Sequence, residues 1–466
     1  MYLAHAFGQR YDLPIPLLLF VLGGALVVVV SFLLILRREV DEPAAPEPPD
    51  HAPVEPPPAV AGAIAVAALA GLTWVGLAGG QEVAENILPT VFWLVVWIAL
   101  PLSCGLLGDW TRPVNPFAAL SRWADSSRLR RLVLAREQPV RWPERLGWWP
   151  AVAAYFLLAC GELVFNLTVT SPHVIATGFI VYALLCLAAG LVFGPAWLAR
   201  GEVFTVLLST WGRLGFFRLG AQGRRGFVGG LSGGFDPAPS RIAFVLLLLI
   251  SVNFDGLLAT PRWAAVERGR VGTGLEAFRI TSFVTLALLL TAVFGAFAYA
   301  AARAGRHRLG PRAALAGLLP SMLPIAFAYL LAHNLQYLLV NSQLLGPLIG
   351  NPIGKESWPL HLPYPFNDTF DPRPAFLPSA FYWYVGVAAI VAAHVLAVLL
   401  AHRYLGHRGA DAHAARNSEY PWLVAMVGYT MLSLVLIAQP LTQERGSGAT
   451  TATATPTSAV SAGPQG

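Results

Sequence analysis

An all-α polytopic transmembrane bundle of about ten helices, with both termini extracytoplasmic, is the fold the sequence predicts. Three observations carry this. The 466 residues are 56% hydrophobic and 12% charged, with a mean hydropathy of +0.60, against roughly 25% charged residues in a soluble domain. One soluble core stops growing near about 250–300 residues and cannot hide so much apolar surface. The apolar residues also fall in runs of about 20, the length a helix needs to cross the hydrocarbon core. These runs lack the alternation of barrel strands, which need only about 9–11 residues. Finally, the cationic residues gather in alternate connections.

In chain order the spans are expected at 15–36, 59–79, 87–107, 149–170, 174–198, 242–258, 275–301, 313–340, 381–401 and 420–439. With the N-terminus outside, the inner connections carry 23 of the 31 Lys and Arg residues and the outer segments carry 7, with Arg279 inside a span. The positive-inside rule therefore places both termini outside and the chain in the cell membrane as a multi-pass protein. Orientation explains the net charge of +6 better than nucleic-acid binding does, so the expected partners are the lipid bilayer and a small-molecule ligand. No cleavage site follows the first span, so it reads as a retained helix. Cys104, Cys160 and Cys186 fall within spans and read as buried, inert thiols.

Residues 1–40 form an N-terminal segment and first span. Residues 41–58 (DEPAAPEPPDHAPVEPPP) are an acidic, Pro-rich cytoplasmic tether of polyproline character. The bundle follows over 59–440, with a long outer loop at 341–379, and 441–466 is a Thr-, Ala- and Ser-rich tail expected to be disordered. The outer loop is rich in Pro and aromatics and is expected to pack as a lid. The apolar inner segment 201–220 is too short and interrupted to span and is expected to be interfacial or re-entrant. Were it a span, every later orientation would invert and the Arg asymmetry would fail.

Ionisable groups inside a span cost about 2.5–3.5 kcal/mol each on insertion scales and need partners or water. Glu162 and Asn166 share a helix face four residues apart. Asn253 and Asp255 lie near the outer end of the sixth span, and Arg279 near the outer start of the seventh. The eighth span carries His333, Asn334, Gln336, Tyr337 and Asn341 in its outer half, and His394 lies near the middle of the ninth. Their shared depth predicts a polar cavity opening outward. Glu162, Asp255 and His333 are its candidate catalytic groups, and Asn166, Asn253, Arg279, Asn334, Gln336, Tyr337, Asn341 and His394 would line it. The competing reading is structural: an Asp255–Arg279 ion pair, and amides linking helices at about 0.6 kcal/mol each.

His5, His173, His333 and His361 all fall on the outer side, and imidazole suits zinc or a transition metal. No HExxH, CxxC or paired His at i, i+4 supports such a site, so the cofactor stays unassigned. His402, His407 and His413 read as members of a solvated basic loop. Gly230-Leu-Ser232-Gly-Gly234 matches GxSxG in letters but lacks the strand-to-helix setting that chemistry needs. Gly76 with Gly80, and Gly190 with Gly194, permit close helix approach. Pro320 and Pro324 predict a kink, which either turns the polar half of the eighth span toward the cavity or is purely structural.

The stretch LAHAFGQRYDLPIP before the first span, GDWTRPVNPF after the third and NFDGLLATPRW at the sixth resemble multi-pass bacterial membrane proteins labelled fenitrothion hydrolase. The resemblance covers most of the chain and implies hydrolysis of an organophosphate ester. It brings no catalytic motif. A permease for a small solute, or a non-catalytic subunit of a metal-handling or respiratory complex, is equally consistent with the residues.

Overall fold

The computed structural model describes residues 11–13, 16–35, 59–217, 226, 228–373 and 377–444. The tether at 41–58 and all but the first residues of the tail lie outside them, as does His5.

Among the described residues nine helices are long and apolar enough to cross a membrane: Leu17–Ile35, Ala59–Ala78, Ile87–Leu107, Pro172–Phe193, Pro239–Leu258, Gly272–Ala304, Pro311–Gly350, Ser379–Gly406 and Ala412–Leu436. A tenth connection between the two ends of the bundle is the 15-residue helix Trp149–Leu163. Its first turn is tied to one end by the Trp148 amide donating to Ser240 Oγ at 2.9 Å, and its last carbonyl accepts from Arg279 at the other. The expected span to residue 170 is broken at Val164, and the chain resumes as the turn Asn166–Val169. The expected span to residue 198 likewise stops at Phe193, because Gly194 adopts a φ of 57°, a left-handed setting favourable to glycine. This is an integral membrane protein.

The ends of the bundle are distinct. At the Arg-rich end the turns after 107, 193, 304 and 406 meet: the Phe217 amide donates to Leu107 O, Val140 to Val192 O and Ala410 to Gly305 O. At the opposite end the Gly80 amide donates to Ile353 O at 2.7 Å and Ile87 to Pro352 O. There, too, residues Tyr11–Leu13 and Thr442–Glu444 pair as parallel strands, so the two ends of the described chain lie together.

The 311–341 helix is the hub, buried along nearly its whole length. Leu288 and Leu289 of the 272–304 helix, Leu184 of the 172–193 helix and Leu18 and Leu26 of the first helix are exposed. An exposed apolar surface this extensive is what a lipid-facing belt requires. Pro320 and Pro324 both lie inside the continuous 311–341 helix. Proline has no N–H, so Pro320 leaves the Ala316 carbonyl without its helical partner. The Phe235 amide takes that place at 2.9 Å. A neighbouring loop thus completes a membrane helix's hydrogen bonding.

Segment 201–220 contains the helix Val203–Gly212, in which every residue but Ser209 is buried. It lies buried inside the protein, as a re-entrant segment can, and does not present an apolar face at the surface. The fully buried Glu202 caps it, accepting from the Phe204 and Thr205 amides, and also accepts from Asn115 at 2.9 Å and Tyr182 at 2.9 Å. A carboxylate at a helix N-terminus complements the helix dipole. The other end is pinned by Arg213, whose guanidinium donates to the Gly230 and Gly233 carbonyls. Both ends therefore belong to the Arg-rich side. The same bonds give Gly230–Gly234 a structural use in a loop, with no strand beside it among the described residues.

The outer loop packs sideways. Its described contacts run to the 78–87 turn, where Lys355 Nζ donates to Ala78 O at 2.5 Å.

Candidate functional site

Two helices bring ionisable side chains to one cleft, and a third packs His333 against one of them. Its lining comprises Trp97, Ile98 and Pro101; Tyr155 and Glu162; Leu207 and Trp211; Ser251, Val252 and Asp255; and Leu330 and Asn334. Helical spacing explains the choice. Positions 155 and 162, 251 and 255, and 330 and 334 are each one or two turns apart and so share a face. Residues Val91–Ala99 form a π-helix, a wider turn often found at functional sites. Within it Trp93 and Trp97 meet edge-to-face at 6.1 Å, and Trp97 stacks on Tyr155 at 5.4 Å.

The cleft has a polar mouth and an apolar floor. Glu162 accepts from Trp97 Nε1 at 2.7 Å. Asp255 Oδ2 lies 2.7 Å from His333 Nε2, with side-chain exposures of 13% and 1%. The Tyr329 ring lies parallel to the imidazole, 6.1 Å away. Asn334 Nδ2 donates to Leu330 O at 3.1 Å. Deeper in, the Tyr155 and Ser251 hydroxyls are 2.9 Å apart. Leu207 and Trp211 of the 203–212 helix are each 2% exposed and close the Arg-rich side. The space inside is room for about two water molecules.

The remaining expected lining residues separate, apart from Tyr337, which lies close enough to Glu162 to feel its charge. Asn253 is buried, donates to Leu249 O at 2.6 Å and pairs with the Tyr429 hydroxyl. Arg279 pairs with Glu267, not Asp255, through two bonds of 2.6 and 2.7 Å. The 261–267 helix supplies this carboxylate, which sequence separation from the span had hidden. Asn341 Nδ2 donates to the Tyr337 carbonyl at 2.9 Å. Asn166 is exposed, Gln336 is 5% exposed and Tyr337 is half-buried. His394 is fully buried, with Nδ1 2.7 Å from Ile390 O.

The candidate metal ligands do not assemble: His333 is buried beside Asp255, whereas His173 and His361 are exposed. Among the described residues no three His, Cys, Asp or Glu side chains are placed to hold a metal ion. Sequence reasoning missed Trp97, Tyr155, Ser251, Leu207 and Trp211, since aromatic and hydroxyl side chains in apolar runs carry no insertion penalty that marks them.

Chemically, the cleft offers two carboxyl groups above an apolar barrier, with the His333 imidazole paired to Asp255 behind the wall. No protein-family model, curated protein or solved structure matches the chain. What fold and site define is a class: a multi-pass helical membrane protein with an ionisable, water-sized cleft.

Proposed function

We propose that this protein is a permease-type transporter of the cell membrane whose cleft takes up a proton or small cation from the outer side. The observation that carries the reading is the convergence of Glu162 and Asp255, the latter paired to His333, on one cleft floored by a helix that does not cross. Intramembrane carboxylates that share a wet cavity are the usual furniture of proton and ion paths. A non-crossing helix closing one side is the kind of irregular element that lines transport cavities. The positive-inside rule sets the Arg-rich end in the cytoplasm and the cleft outside. Room for about two waters suits a proton or bare cation better than a bulky triester.

The resemblance to proteins labelled fenitrothion hydrolase supports a second reading, and the Asp255–His333 pair is the observation that favours it. A carboxylate holding an imidazole is how a general base is oriented to activate water.

Proteoliposomes containing a pH-sensitive dye separate the two. Under an imposed potential, the wild type is expected to carry protons at least tenfold faster than protein-free vesicles, and Glu162→Gln and Asp255→Asn are expected to abolish the excess. Flux equal to that of empty vesicles overturns transport. Nitrophenol release from fenitrothion by the same preparation, lost in His333→Asn, would establish hydrolysis instead.

A further inference from the structure

A second ionisable pair lies at the Arg-rich end, remote from the cleft. His402, near the close of the 379–406 helix, and Glu419, in the 412–441 helix, have side chains 6% and 3% exposed. His402 Nδ1 is 3.0 Å from each carboxylate oxygen. A carboxylate only accepts, so Nδ1 carries the donated proton, and the neutral ring then keeps its lone pair on Nε2. His402 Nε2 is buried without a hydrogen-bond partner among the described residues.

The pair borders a small cavity, otherwise lined by Phe32, Val398, Ala401, Leu405, Trp422, Leu423 and Met426. It has room for about one water. Three helices contribute these walls, and only His402 and Glu419 among the lining residues carry an ionisable group. The other charged or titratable groups nearby face away: Arg403, His407, Arg408, His413 and Arg416 are exposed. The Arg306–Asp411 pair is at the surface. His307, in the 304–311 turn, sits against Gly305 beside Ser418.

With one proton, on Nδ1, the pair is a single negative charge walled by apolar side chains. A second proton, delivered to Nε2 by the cavity water, makes it a net-neutral imidazolium–carboxylate pair. The N–H bond forms as a water O–H bond breaks, and the water regains its O–H by taking a proton from the aqueous phase.

We propose that His402–Glu419 is a second protonation site, loaded through the cavity at the Arg-rich end and serving the pathway whose other end is the cleft. Its place in a pathway rests on the transport reading; its protonation does not.

The test is a pH titration of ¹⁵N-histidine-labelled protein in lipid nanodiscs, with the His402 resonances assigned from their loss in His402→Asn. A change in the His402 Nε2 signal between pH 5 and 9, together with loss of the fixed Nδ1–H tautomer in Glu419→Gln, is expected. His402→Asn, which keeps a donor toward Glu419, should also slow proton flux at least tenfold. Resonances that stay flat across that range overturn the site, and unchanged flux in His402→Asn where the wild type conducts overturns its place in the pathway. Titration of His402 in a wild type that carries no protons sustains the site and removes the transport reading alone.

Discussion

Single residues show how far the cost of burying charge can be read before the partner is known. Glu162, Asp255 and Arg279 stand out in the sequence because each interrupts an apolar run. What satisfies each is a matter of three dimensions. The nearest cation to Asp255 in depth was expected to be Arg279, yet Arg279 turns to Glu267 and Asp255 to His333. Burial alone would raise the Glu267 carboxyl, but hydrogen bonds from Arg279 and from Trp263 at 2.6 Å outweigh it and hold the group below its usual 4.5. A carboxylate held low contributes stability that is complete above its unfolded value and is lost as pH falls through the folded one. The pair should therefore lose its contribution as pH drops below about 4. Glu267→Gln is expected to lower the melting temperature in detergent at pH 7 and to flatten the difference from wild type at pH 3. A constant difference between the two pH values would refute this role. The same reasoning explains the omission of His402 from the expected site. Its neighbours Arg403, His407 and Arg408 are exposed, and only the helix crossing with Glu419 buries it.

At the level of elements, hydropathy placed most helices within a few residues, since a run of about 20 apolar side chains has few alternatives in a bilayer. It misjudged where a special backbone decides the end. The Gly194 turn cuts one span short, and the 149–163 helix stops early at Val164. Segment 201–220 was legible as something other than a span, but not as a buried helix, because its capping charge Glu202 and its anchor Arg213 are paid for by partners far away in the chain. Pro320 illustrates the same dependence. Pro320→Ala restores an N–H that competes for the Ala316 carbonyl, so the Phe235 amide should exchange with deuterium at least tenfold faster, while the 311–341 helix remains protected. Unaltered exchange at Phe235 would mean that the loop holds itself in place without that bond. The outer loop behaves differently from the expected lid, bracing the 78–87 turn; none of the described residues lining the cleft comes from it.

For the whole molecule, the decisive asymmetry is that of Arg. Twenty-three of the 31 cationic residues fall in connections of one parity, and the structure gathers the described members of that set at one end. The positive-inside rule then predicts a direct result. With a membrane-impermeant thiol reagent on intact cells, Glu356→Cys in the outer loop should label. Arg128→Cys, in the Ser127–Leu134 helix, should label only after the membrane is permeabilised. The reverse pattern would invert the molecule and turn the cleft to the cytoplasm. The polar groups are less one-sided than their sequence positions suggest. Glu202, Arg213, Arg241 and the His402–Glu419 pair are all buried at the Arg-rich end. Three of these fall in or beside the connection at 200–241, where a linear reading assigns charge to solvent.

By itself the sequence determined that the chain enters a membrane, roughly where it crosses and which end carries the cations. Those properties follow from local transfer free energies, summed along a segment with no reference to its neighbours. Only the tertiary structure decided which costly side chains share a cleft, which are closed in private contacts and which helix forms the floor. A side chain's partner depends on the rotation and crossing of helices distant in the chain, and no transfer energy of a single segment encodes that.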